Sequence, residues 1–111
     1  DSARRLVLLT EEHCEELDAG IESFLTGWKL SRLPRVTLTV LRLSFCELLY
    51  FPDIPVRVSI NEAVELAKKY ATEEDASYIN GVLGTFVRKT PLQKNEETAQ
   101  PEEEAAVKEA E

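Results

Sequence analysis

Histidine occurs once in this chain, at position 13, and methionine not at all. A lone His13 beside Cys14 falls short of a metal centre, which needs at least two more converging ligands. It reads as a half-buried helix histidine. Neither Cys14 nor Cys46 has a second histidine to activate it as a nucleophile. Two cysteines also make no disulfide framework, so both read as reduced thiols of a cytoplasmic protein. The four glycines stand apart at positions 20, 27, 81 and 84, which excludes a phosphate-cradling loop. No apolar run approaches the roughly 20 residues that span a bilayer, and no signal-peptide pattern is present. These absences point to a protein that is not an enzyme, holds no cofactor and has no place in a membrane. With no initiator methionine, Asp1 is not taken as the natural start.

What is present suits a small folded unit. A chain of 111 residues, 43% apolar, has room for one domain with a real core. The net charge of −8 is spread unevenly. Residues 91–111 carry two lysines against seven glutamates, a net −5, and residues 1–90 carry the remaining −3. The expected organisation is a helical domain over 1–90 and a disordered acidic tail over 91–111, whose polar composition cannot offset the entropy of ordering. Such a balance argues against a non-specific phosphate binder but allows a local RNA site.

Periodicity predicts an all-α fold of about four helices, over 3–26, 34–50, 60–71 and 73–88. In the first, Leu6, Leu9, Leu17, Ile21 and Phe24 share a stripe, Gly20 marks a close contact, and Gly27 is the stop. Trp28 and Leu30 follow as core plugs. Pro34 suits the start of the second helix, which is apolar nearly all round and so reads as the central rod. A strand over 36–43 is the alternative, disfavoured because no turn signal interrupts the run before Pro52. Arg42 and Glu47 on this rod are expected to be buried and paired. The FPDIP turn follows, with Ile54 and Val56 as anchors beneath it. Ser59 with Glu62 reads as a capping box opening the third helix, and Thr72 with Asp75 as a weaker one opening the fourth. Glu73, Glu74 and Asp75 suit a helix start, where carboxylates meet the positive end of the dipole. Gly81 inside the fourth helix predicts close approach of another backbone.

Several blocks together resemble the NusB family of bacterial transcription antitermination factors. They are LTGWKLSRLPR from Leu25, LRLSFCELLY from Leu41, PDIP from Pro52, INEAVELAKKY from Ile60 and YINGVLG from Tyr78. The likeness covers about residues 1–90. It implies an all-helical bundle that pairs with NusE, a small-subunit ribosomal protein. The pair binds boxA RNA in nascent ribosomal transcripts and helps RNA polymerase resist termination. The family's arginine-rich first helix and the helix after it have no counterpart here. The chain is therefore expected to be a fragment, or to cover the stripe on its first helix with a partner, for instance by forming a homodimer.

Carried over by position, Glu74, Asp75, Ser77 and Tyr78 match the family's RNA-touching start of the last helix. Tyr78 suits stacking on an unpaired base, and the carboxylates suit base amino groups. Packing of Tyr78 and helix capping by the acids is the plainer reading of the same residues. Ser31, Arg32, Val36 and Thr37 match the region facing NusE, where Ser31 and Thr37 replace acidic residues of the family pattern. A protein-interaction module without RNA binding is the alternative function. The amino-terminal domain of an rRNA cytosine methyltransferase is a further one, disfavoured by the acidic tail after Arg88.

Overall fold

The computed structural model describes residues 1–25 and 29–94. Five α-helices account for most of them: α1 (Ser2–Glu12), α2 (Cys14–Ser23), α3 (Arg35–Tyr50), α4 (Val56–Tyr70) and α5 (Glu73–Lys89). A 3-10 turn, Leu30–Arg32, leads into α3. No strand is present among the described residues, so 36–43 is helical. Trp28, Gly27 and the acidic residues 95–111 lie outside the described residues.

The helix expected over 3–26 is two helices. They meet at His13, whose backbone (φ −104°, ψ 19°) ends α1 and opens α2. The His13 ring stacks on Tyr50 of α3 at 4.7 Å. The bend lets both segments pack on α3. A residue of neither proline nor glycine type makes the break, so the apolar period runs through it unbroken.

The central rod is α3, which packs on each of the other four helices. Leu41, Phe45, Cys46 and Leu48 are fully buried on it, and Leu17, Ile21, Ile79, Leu83 and Ala67 meet them from α2, α5 and α4. Fully burying a large apolar side chain contributes roughly 1.5–3 kcal/mol. Phe45 and Phe86 stack at 4.1 Å, and Phe24 closes the cluster edge-on to Phe86 at 5.4 Å. The stripe expected to lie open on the first helix is covered: Leu17 and Ile21 are buried, and Leu6, Leu9 and Phe24 pack against the core. The exposed apolar residues of α1 are Val7 and Leu8 on its other side.

Helix α4 begins at Val56, not at Ile60, so Ser59 is inside the helix and caps nothing. Its hydroxyl donates instead to Glu47 Oε1 on α3 at 2.6 Å. Pro55 precedes the first turn, where the missing amide hydrogen is harmless. Arg42 and Glu47 do not pair with each other. Arg42 makes a two-pronged bond to Asp18 of α2, Nε to Oδ1 at 2.6 Å and a terminal nitrogen to Oδ2 at 2.7 Å. Both groups are half-buried. A Cβ added at Gly20 or Gly81 would meet nothing within 4 Å, so neither glycine marks a close backbone approach. Past α5, Leu92 packs against the core. The Lys94 ammonium then donates to the Phe51 carbonyl at 3.0 Å, at the end of α3, where a cation complements the dipole.

Candidate nucleic-acid interface

Two helices begin side by side. Thr72 opens α5 in the way its spacing predicts, its Oγ1 accepting from the Asp75 amide at 3.0 Å. That cap places Glu73, Glu74 and Asp75 in the first turn, against the positive helix end. Pro34 (φ −56°, ψ 148°) opens α3 without a side-chain cap. Thr37 thus sits in the first turn of α3 facing inward, 1% exposed. Between the two starts lies a cleft of about 360 Å³. Glu74, Asp75 and Tyr78 line it from α5; Arg32, Leu33, Pro34 and Thr37 line it from the 3-10 turn and α3.

Five of the eight residues singled out in the sequence therefore share one cleft: Arg32, Thr37, Glu74, Asp75 and Tyr78. Parts of the two expected surfaces, one for RNA and one for a protein, thus line a single feature. The other three residues lie elsewhere. Ser77 is exposed and faces a separate hollow of about 310 Å³ beside Val64, Lys68 and Asn80 of α4 and α5. Ser31 is exposed on the 3-10 turn, and Val36 is half-buried against the core. Leu33 and Pro34 complete the cleft; the sequence marked Pro34 only as the start of a helix and gave no signal for Leu33.

The electrostatics of the cleft are mixed. Arg32 brings hydrogen-bond donors, and Glu74 and Asp75 bring acceptors. Tyr78 is half-buried and packs against the core. Burial pushes its phenol above the usual tyrosine range. The Tyr78 hydroxyl and Thr37 Oγ1 are both closed off from solvent, and neither meets a hydrogen-bond partner among the described residues. The arrangement offers an aromatic ring, a cation and two carboxylates around one recess, and the hydroxyls of two of its lining residues are sealed from solvent. That set suits binding of a flat polar group. Among the described residues, no cluster of three His, Cys, Asp or Glu side chains is placed to hold a metal ion, and no helix is long and apolar enough to cross a membrane.

The chain is similar to known proteins over most of its length. The sequence model of the NusB family matches residues 1–88. The transcription antitermination protein NusB of Alkaliphilus oremlandii is 50% identical over 82 residues, covering 74% of this chain and 59% of the relative. Its namesake in Natranaerobius thermophilus is 53% identical over 78 residues, covering 70% and 56%. The chain thus spans about three-fifths of the length of these curated relatives. A solved structure of T. maritima NusB superposes with a TM-score of 0.77 at 36% identity, covering 94% of this chain and 68% of that one. The all-helical arrangement, the matched residues and the shared architecture agree, and the chain belongs to the NusB family.

Proposed function

We propose that this chain is the RNA- and partner-binding part of a transcription antitermination factor. It acts in the cytoplasm as a binding subunit without catalysis, within the complex that keeps RNA polymerase from terminating. It recognises boxA RNA of nascent ribosomal transcripts together with NusE. The observation that carries this reading is the shared cleft. Positions expected to face RNA and positions expected to face the partner line it together, which supports a recess that contacts an RNA strand and the protein that presents it. The relatives' names, transcription antitermination protein, support the same role.

The test is binding of boxA RNA by the chain with NusE, against a scrambled RNA of equal length. Preference for boxA, weakened by Tyr78→Ala, is the expected result; equal binding of both RNAs overturns it. The net charge of −8 favours one other reading, a protein-interaction module. Recovery of NusE with no RNA dependence, and no boxA preference in its presence, would be its signature.

A further inference from the structure

The first turn of α1 and the residues after α5 meet at one side chain. Leu92 packs against the core, and the Lys94 ammonium donates to the Phe51 carbonyl at 3.0 Å. The Arg5 guanidinium lies over the ring of the same Phe51, 4.7 Å from its centroid. The segment 95–111 therefore starts beside Arg5. It carries seven glutamates against one lysine, a net −6. The family match ends at residue 88, so the family's own activity does not account for this segment.

The cations it meets first are in need of anions. Arg4 and Arg5 are both exposed, and neither makes an ion pair among the described residues. The first turn of α1 holds no acidic residue. The Asp1 carboxylate before it accepts from the Arg4 backbone amide at 2.9 Å. Two cations against the positive end of a helix are held at a cost, which carboxylates laid across them relieve. Other basic groups are farther off or engaged. Lys29, Arg32 and Arg35 stand at the start of α3, whose 16 residues put them about 24 Å from Phe51. Arg88 already donates to the Gly84 carbonyl and the Thr85 hydroxyl.

The tether supplies what single ion pairs lack. Exposed pairs are individually weak. A coil of the length of 95–111 averages roughly 20–25 Å end to end. Held at Lys94, its carboxylates surround Arg4 and Arg5 at an effective concentration of millimolar order. Seven carboxylates over two neighbouring arginines can exchange places without leaving them.

We propose that the acidic segment 95–111 folds back from Lys94 onto the first turn of α1, pairs its glutamates with Arg4 and Arg5, and shields these cations from other polyanions. The chain carries its own anionic competitor for that face.

The test compares the full 111-residue chain with a full-length variant whose seven glutamates in 95–111 are glutamine. Backbone amide and arginine Nε signals are recorded at low salt and at about 1 M salt, where the screening length falls to about 3 Å. Neutralising the segment is expected to move the signals of Ala3–Leu6 and Phe51, and high salt to move them the same way in the native chain only. Signals that stay in place, or changes concentrated on Lys29–Arg35, overturn the contact. The second arm titrates both forms with oligouridylate of one length at low salt. The neutralised form is expected to bind severalfold tighter. Arg4→Gln with Arg5→Gln removes that gain, and Lys29→Gln with Arg35→Gln keeps it. A gain that survives loss of Arg4 and Arg5 is general charge repulsion and overturns the shielding. So does equal affinity of the two forms, absence of binding by both included.

Discussion

Replacing Thr37 by valine removes one oxygen from the interior and puts a methyl in its place. The residue is 1% exposed, and its Oγ1 has no partner among the described residues. A buried hydroxyl without a partner loses its hydration and regains nothing, a penalty of about 1–3 kcal/mol. Threonine and valine have nearly equal helix propensities and the same branching, so the backbone term cancels. The change in shape is one methyl for one hydroxyl, and no cavity opens. Thr37→Val is therefore expected to stabilise the chain by about 1 kcal/mol, the low end of that range because the cleft beside it lets neighbours relax. For a domain of this size that is a rise of about 4–8 °C in melting temperature. Tyr78→Phe removes the second orphan and is expected to act in the same direction. Urea unfolding followed by circular dichroism reads both, with an unchanged m-value as the sign that the denatured state is the same. A loss of about 1 kcal/mol in Thr37→Val would show that the hydroxyl is hydrogen-bonded in solution, and the reasoning about the cleft would fail with it.

Other perturbations follow from the same geometry. Gly20→Ala and Gly81→Ala each place a methyl where nothing lies within 4 Å, so each should raise stability by about 0.5–1 kcal/mol through helix propensity and a less flexible unfolded chain; thermal melts would show it. Arg42→Met leaves the Asp18 carboxylate half-buried without its two-pronged partner, and a loss of about 1–2 kcal/mol in urea is expected, discounted for partial solvent exposure. The Glu62 carboxyl is held above the usual range by burial first, then by the charge of Glu47 and a hydrogen bond to it. A raised folded pKa means the fold keeps the proton longer than the unfolded chain, so this contribution is present at acidic pH and is lost as pH rises through the folded value. Glu62→Gln should therefore raise the melting temperature near neutrality and give no gain under acid conditions; an equal gain at both pH values would contradict the assigned cause.

The long apolar rod was legible because two prolines bracket it. Pro34 and Pro52 set the limits of α3, and each of the other four helices packs on it. The start of α5 was legible for a local reason too: a cap is an interaction within three residues, and Thr72 makes it with Asp75. What was not legible depends on distant partners. Ser59 has the spacing of a cap with Glu62, yet its hydroxyl goes to Glu47, twelve positions back. Arg42 finds Asp18 across 24 positions. The bend at His13 comes from packing of α1 and α2 on one rod, with ring stacking on Tyr50, and no glycine or proline announces it. Gly20 and Gly81 suggested close approaches because cost in a helix invites a compensating reason; open space surrounds both. The cleft shows the same division. Its residues were named one wall at a time, from the residues before α3 and the residues starting α5. Only the packing of α5 on α3 makes the walls face each other, and Ser77 turns away because the helical period sets it with Glu73, Ala76 and Asn80 on the side toward α4, while Glu74, Asp75 and Tyr78 share the cleft side.

Backbone amide shifts of the labelled chain, recorded as boxA RNA is added in the presence of NusE, test the central claim most directly. The account predicts that the changes concentrate on Arg32–Thr37 and Glu74–Tyr78, the two walls of the cleft. Changes confined to the outer face of α4, around Leu66 and Tyr70, or no specific changes at any RNA concentration, would contradict it.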